Sequence, residues 1–215
     1  MTQRRMAIVL GVNRKTIVRK FLYLALLARK AHADWLVERK PSSVAQFDEM
    51  ETFEHSRLKP VSVALAVDAK TRKILSFAVE PMGYKGRLAH VAQRKYGPRK
   101  DHSARGVARV LSHVAAVSST PLVLVTDDSP RYPKPIRSLL PEAIHRPVRR
   151  IPPVVAKRRR NLNDPLFALN VTAAKLRNDL SRLGRKTWVT TKKLERLDAH
   201  LALYLAWNNG YRLPA

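Results

Sequence analysis

Only 16 of the 215 residues are Asp or Glu, against 42 Lys and Arg, so an acid inside an apolar strand stands out. Asp48 lies within Val44-Ala45-Gln46-Phe47-Asp48-Glu49-Met50-Glu51-Thr52-Phe53, and Asp127 closes Leu122-Val123-Leu124-Val125-Thr126. An unpaired charge buried in such a setting is costly. Two carboxylates brought together there suit Mg²⁺ or Mn²⁺, which take hard oxygen ligands rather than His or Cys. Two such ions about 3.5–4 Å apart can activate the attacking oxygen of a phosphoryl transfer and stabilise the leaving one. Each acid also has an ordinary use: a salt bridge to a nearby Arg for Asp48, and a turn or cap after a strand for Asp127. A third acid, Asp164, precedes Pro165 and reads equally well as a helix N-cap and as a further ligand.

The elements around these acids decide whether they can meet. Residues 44–53 read as a strand, 61–67 as a second with its apolar face on odd positions, and 73–79 as a third. The turn at Asp68-Ala69-Lys70-Thr71 joins the last two, which makes an antiparallel meander. Residues 83–101 are rich in Gly, Lys and Arg and read as a loop or short irregular helix. A helix over 104–117 precedes the continuously apolar run 122–126, expected to be a strand buried on both faces. A short helix over 133–140 and a last strand over 143–148 follow. A long helix begins at Asp164, with Leu166, Leu169, Ala173, Leu176, Leu180 and Leu183 as its apolar stripe and Gly184 at its end. A final helix over 192–208 buries Leu194, Leu197, Leu201 and Leu205. Three antiparallel strands, helix, strand, then helices is the order of an α/β, ribonuclease-H-like mixed sheet. In that architecture the first and fourth strands are neighbours at the sheet centre. Asp48 and Asp127 occupy the two places that then meet.

Ahead of this domain, residues 1–33 have the pattern of a helix-turn-helix. Gly11 permits the turn, Asn13 caps the second helix, and Ile17, Phe21 and Leu24 face inward. Arg14, Lys15 and Arg19 fall on the other side, where they would meet DNA; a plain helical hairpin is the competing reading. Residues 34–43 read as a linker, and 44–215 as the catalytic domain with its C-terminal helices. The net charge of +26 repels itself in a compact state and points to a polyanionic partner. The run Lys157-Arg158-Arg159-Arg160 reads as a loop touching phosphates. There is no cysteine, which excludes disulfides and thiolate zinc sites and fits a reducing cytoplasm. No apolar run approaches the roughly 20 residues a membrane span needs, and no two of the seven His have metal-ligand spacing.

Several stretches resemble a known family, the insertion-sequence-one-like DNA transposases. Phe47-Asp48-Glu49-Met50-Glu51-Thr52-Phe53 is similar to that family's first acidic motif. Ala66-Val67-Asp68 with Thr71-Arg72-Lys73-Ile74-Leu75 resembles the hairpin after it, and Thr126-Asp127-Asp128-Ser129-Pro130-Arg131-Tyr132-Pro133 the second motif with its downstream Tyr. Asn170, Leu176-Arg177, Arg182-Leu183 and Arg185-Lys186-Thr187 resemble the third block, continued by Thr191-Lys192-Lys193 and Asn208 or Asn209. The resemblance implies a recombinase of the DDE type that cleaves at element ends with water and then uses the freed 3′ hydroxyl to attack target DNA. It implies a two-ion Mg²⁺ or Mn²⁺ site held by Asp48, Asp127 and a third acid. It also implies double-stranded DNA as partner, with Arg177, Arg182, Arg185 and Lys186 holding its ends, and a homo-oligomer assembled on DNA near the nucleoid.

Two features depart from the family. Its third acid is a Glu three residues before the motif Asn, where this chain has Phe167; Asp164 lies one helical turn earlier. Many relatives also carry a Cys-rich zinc finger before the helix-turn-helix, which leaves open a short member, a truncated copy or a misassigned start. Two other functions therefore compete: a decayed or repurposed DNA-binding protein, and a ribonuclease-H-like nuclease without strand transfer.

Overall fold

The computed structural model describes residues 2–149, 164–184 and 187–213. Two compact units are present: 1–39 with 195–215, and 40–194.

The larger unit is built on one mixed sheet. Its strands are β1 (Ser42–Phe53), β2 (Pro60–Asp68), β3 (Ile74–Pro81), β4 (Ser118–Asp127) and β5 (Ile144–Val148). They lie side by side in the order β3-β2-β1-β4-β5. The first three are antiparallel to one another, while β4 runs parallel to β1 and to β5. This is the ribonuclease-H-like arrangement expected from the sequence, with β1 and β4 adjacent at the centre.

Helix α4 (Ser103–Val117) covers one face of the sheet. Its Val107, Val110, Leu111 and Val114 recur at helical spacing and are all buried. They pack with Ala45 and Phe47 of β1, Ala64 and Ala66 of β2, and Leu124 of β4. Ile136 of α5 (Pro133–Leu139) closes the same core. At Gly106 the helix comes so near β3 that an added Cβ would stand 2.9 Å from the Glu80 side chain. Helix α6 (Phe167–Asp179) and the short 3-10 turn Ser181–Leu183 follow. The stripe Leu166, Leu169, Leu176, Leu180 and Leu183 is buried as its spacing predicts, with Ala173 half-buried.

Several expectations change. Every residue of β2 is buried, so it is not a strand with one solvated face: α4 and α6 both pack on it. By contrast, β4 starts four residues earlier than expected, and that start is partly solvated. Within 83–101 a regular helix, α3 (Ala89–Tyr96), forms.

The smaller unit begins with α1 (Gln3–Val9) and α2 (Arg14–Glu38). Gly11 takes a φ of 62° between them, and the Asn13 side chain accepts the Lys15 N–H at 2.8 Å. The second helix does not stop at 33. No Gly or Pro interrupts it before Pro41, so much of the expected linker is helix. Its buried line is Ile17, Ala25 and Ala28, whereas Leu24 is exposed and Phe21 half-buried. The final helix, α7 (Leu194–Asn209), groups mostly with this unit rather than with the sheet. Asp198 pairs with Arg29, His200 meets the Phe21 ring edge-on, and Tyr211 joins His32 and Trp35. Leu197, Leu201 and Leu205 are buried. Such pairing of chain ends leaves no local mark in the sequence.

Candidate active site

Parallel pairing sets Phe47 of β1 opposite Thr126 of β4. The next residues, Asp48 and Asp127, therefore lie side by side on neighbouring strands, whose spacing is about 5 Å. Because the strands run in the same direction in register, both side chains leave the same face. The juxtaposition needs no long loop and follows from strand order alone.

The electrostatics of Asp48 are unfavourable as they stand. Burial pushes the Asp48 carboxyl up from 3.8 to about 6, and the charges of Asp127 and Glu49 add to the rise. The Glu49 N–H at 2.6 Å and the Tyr132 hydroxyl at 3.2 Å both donate to Asp48 Oδ1 and only partly offset it. Tyr132 is buried, with its ring edge-on to Phe47 at 5.1 Å. Burial and the neighbouring carboxylates drive its hydroxyl well above the ordinary value, so it remains a donor. Asp127 Oδ1 is buried, and among the described residues no donor reaches it.

Other acids of the sheet are treated differently. Asp68 accepts from the Ser42 and Thr71 hydroxyls and from the N–H groups of Lys70 and Thr71. Glu80 receives two hydrogen bonds from Arg105. Glu49, beside the site, accepts from the Ser62 hydroxyl at 2.6 Å and pairs with Arg131 at 3.3 Å. The fold thus compensates Asp68, Glu80 and Glu49 with its own donors and leaves the Asp48–Asp127 pair short of them. A divalent cation would supply the missing charge, and the donor set, carboxylate oxygens only, suits Mg²⁺ or Mn²⁺. The residues present fit such ions.

Asp164 stands apart from this pair. Its Oδ1 accepts the Leu166 N–H at 2.9 Å and its Oδ2 the Asn170 amide at 2.7 Å, so both oxygens serve the start of α6. Among the described residues, no three His, Asp or Glu side chains form a group able to hold a metal. Phe167, at the position of the family's Glu, is half-exposed with the Arg72 guanidinium 5.3 Å from its ring centre.

Gln46 had no assigned role in the sequence, yet it ties α6 to the sheet. Its amide donates to the Pro165 carbonyl at 2.7 Å and accepts the Leu169 N–H at 2.8 Å. It lies two residues before Asp48, on the same face of β1. Arg131 was legible only as part of a motif. Besides Glu49 it reaches the Ser103 hydroxyl at 2.5 Å, which holds the loop carrying Tyr132. A polar residue inside an apolar strand was the available signal for Gln46; for Arg131 there was none beyond its neighbourhood to Tyr132.

The basic candidates divide. Arg14, Lys15 and Arg19 are exposed on α2. Arg177 and Arg182 are half-buried, and burial lowers the Arg182 pKa. Lys157, Arg158, Arg159, Arg160, Arg185 and Lys186 lie outside the described residues. Asp128 and Arg149, both exposed, stand 3.7 Å apart, a pairing of little energetic weight. No described helix is long and apolar enough to cross a membrane.

The class defined by this fold is a ribonuclease-H-like domain with two adjoining acids at the centre of its sheet. No protein-family model matches the sequence, and no curated protein matches it. Among solved structures, the chain is similar to the catalytic domain of Mos1 transposase solved with raltegravir and magnesium. That match has 12% identity over 87% of this chain and 83% of that one, with a TM-score of 0.41. The Mos1 mariner paired end complex with manganese matches at 12% identity over 96% and 67%, with a TM-score of 0.40. A simian T-cell lymphotropic virus intasome matches at 14% over 77% and 48%, with a TM-score of 0.35. Likenesses at this level add nothing to what the strand order itself establishes.

Proposed function

We propose that the chain is a metal-dependent DNA transposase of the insertion-sequence kind, cleaving element-end DNA and joining it to a target. The observation that carries this reading is the in-register placement of Asp48 beside Asp127, with a buried oxygen of Asp127 left without a donor. Ions held by Asp48 and Asp127 would activate the attacking oxygen, water or a 3′ hydroxyl, and stabilise the leaving one. Tyr132 holds the Asp48 carboxylate in place, and Arg131 neutralises Glu49 so that a further charge does not crowd the pair. Arg14, Lys15 and Arg19 on the small unit, and the runs Lys157 to Arg160 and Arg185-Lys186, supply phosphate contacts along duplex DNA. Assembly as a homo-oligomer on DNA ends belongs to the same reading. Asp164 would be a third ligand through the lone pairs that its contacts with Leu166 and Asn170 leave unused.

A second reading is a DNA-binding protein without catalysis, derived from such an enzyme. The commitment of Asp164 to the start of α6 favours it.

The test is incubation of the full chain with Mn²⁺ and duplexes carrying the sequences that flank its gene. Nicks and strand-transfer joints are expected, both lost in Asp48→Asn and in Asp127→Asn. Nicks without joints would indicate a nuclease. Salt-sensitive binding without cleavage would leave the non-catalytic reading, and cleavage surviving both substitutions would exclude the metal site.

A further inference from the structure

Behind the acid pair, three polar groups form a relay. Thr126 is fully buried and ends the apolar run of β4 just before Asp127. Valine has nearly the same shape and would bring no hydroxyl to satisfy, so a hydroxyl buried here needs partners. Its Oγ1 donates to the Asp127 carbonyl at 2.7 Å and lies 2.9 Å from Nε2 of His145. A hydroxyl carries one proton. With that proton on the Asp127 carbonyl, the imidazole must donate in the second contact, which selects the Nε2–H tautomer of His145. Burial lowers the His145 pKa, so the ring is neutral at neutral pH and has a single N–H to give.

The relay lies on the opposite face of the sheet from the two carboxylates. Side chains alternate along a strand, so Thr126 points with Leu122 and Leu124 toward the core under α4, and Asp127 points to the other side. His145 comes from β5, in register with Leu124. That strand is the edge of the sheet, and its residues are exposed or half-buried. Little apolar burial therefore comes from β5, and the hydrogen bond from His145 ties it to the last residues of β4.

The two acids are secured differently. Asp48 is held at its carboxylate by the Glu49 N–H and the Tyr132 hydroxyl. Asp127 Oδ1 has no donor among the described residues, so the direction of this side chain is set by its backbone, at the point where the chain leaves β4. Fixing the Asp127 carbonyl fixes the peptide plane that follows it. We propose that His145 is a positioning residue for Asp127: its Nε2–H holds the Thr126 hydroxyl on the Asp127 carbonyl, and this keeps the Asp127 carboxylate beside Asp48 for a shared divalent cation. The inference rests on the metal-site reading above and deepens it, by assigning a part in that site to a residue that touches neither acid side chain.

The test measures Mn²⁺ affinity of the full chain by electron paramagnetic resonance of the free ion, with no DNA and no turnover. Loss of an outer partner of a metal ligand lowers affinity roughly tenfold or more. His145→Leu and Thr126→Val should each do so, and the double variant should be no weaker than either single one, since all three break the same relay. His145→Gln, whose amide N–H can stand near the place of Nε2, and Thr126→Ser should bind within about threefold of wild type. A role in packing alone would instead lower the Tm in EDTA and leave Mn²⁺ affinity unmoved. In wild type, NMR of the imidazole nitrogens should show His145 as the Nε2–H tautomer, a readout that needs no variant to fold. An Nδ1–H tautomer, wild-type affinity in His145→Leu, or failure of His145→Gln to restore binding would overturn the relay while leaving the metal site in place. Absence of Mn²⁺ binding in wild type would overturn the metal-site reading with it.

Discussion

Replacing Asp48 by Asn removes one of two adjoining carboxylates while keeping the shape of the side chain. The oxygen that accepts from the Glu49 N–H and the Tyr132 hydroxyl can be retained. In the folded chain the Asp48 carboxyl sits at about 6 rather than 3.8. A rise of roughly two units means that ionised Asp48 destabilises the fold by roughly 3 kcal/mol at neutral pH. Asn carries no such charge, so without metal Asp48→Asn should be the more stable protein, by roughly 2–3 kcal/mol once relaxation is allowed for. For a chain of this size that is a rise of roughly 5–10 °C in Tm. The pH dependence follows from the direction of the shift. Below about 4 the carboxyl is protonated in both folded and unfolded chains, and the two proteins should be equally stable. Between about 4 and 6 the folded state holds the proton more tightly than the unfolded one, so wild type loses stability relative to the variant as pH rises, and above about 6 the difference is complete. Urea denaturation in EDTA at pH 4 and pH 7.5 measures both ends. Mn²⁺ should then raise the Tm of wild type at neutral pH and leave the variant nearly unmoved. An Asp48→Asn protein no more stable than wild type at pH 7.5, or a gain of equal size at pH 4, would refute the account of Asp48 as a half-buried, under-compensated charge.

Three further outcomes follow from the same contacts. Tyr132→Phe removes a donor that lowers the Asp48 pKa, so the Asp48 carboxyl should titrate still further above 3.8 by NMR, with a stability loss of about 1 kcal/mol; an unchanged titration would exclude the hydrogen bond. Gln46→Leu should cost about 2–3 kcal/mol in urea denaturation, because the Pro165 carbonyl and the Leu169 N–H both lose a buried partner; a cost near zero would mean that α6 is held by its leucines alone. Asp164→Ala should cost about 1 kcal/mol as a lost cap and preserve the Tm rise with Mn²⁺; disappearance of that rise would make Asp164 a ligand.

The centre of the site was legible because its cause is local and periodic. Val44 to Phe53 and Leu122 to Thr126 announce strands, and three strands, a helix and a strand leave few ways to order a sheet. The parallel pairing of Phe47 with Thr126 then brings the two acids together. What escaped was set by partners distant in sequence. Leu24 fits a helical stripe with Ile17 and Phe21, yet the line that is buried runs through the small residues Ala25 and Ala28. The second burying layer on β2 comes from α6, about a hundred residues later in the chain. Pro165 at the start of a helix suggested an N-cap for Asp164. The helix proper begins at Phe167, and the same carboxylate still serves its first turn, through the Leu166 N–H and the Asn170 amide.

The treatment of the acids in the sheet distinguishes the competing functions more sharply than charge does. Net charge of +26 serves any DNA-binding protein and says nothing of catalysis. Asp68 and Glu80 show that this fold can surround a buried carboxylate with hydroxyls, N–H groups or guanidinium when the carboxylate only has to be accommodated. At Asp48 the Glu49 N–H and the Tyr132 hydroxyl only partly offset burial, and Asp127 Oδ1 has no donor among the described residues, although Arg131 comes as near as Glu49, the residue next to Asp48. A chain that needed only to bind phosphates would be more stable with an amide in place of Asp48, and the Asp48→Asn comparison measures by how much. The retained destabilisation is the expected signature of a site whose remaining charge is supplied by a ligand rather than by the protein.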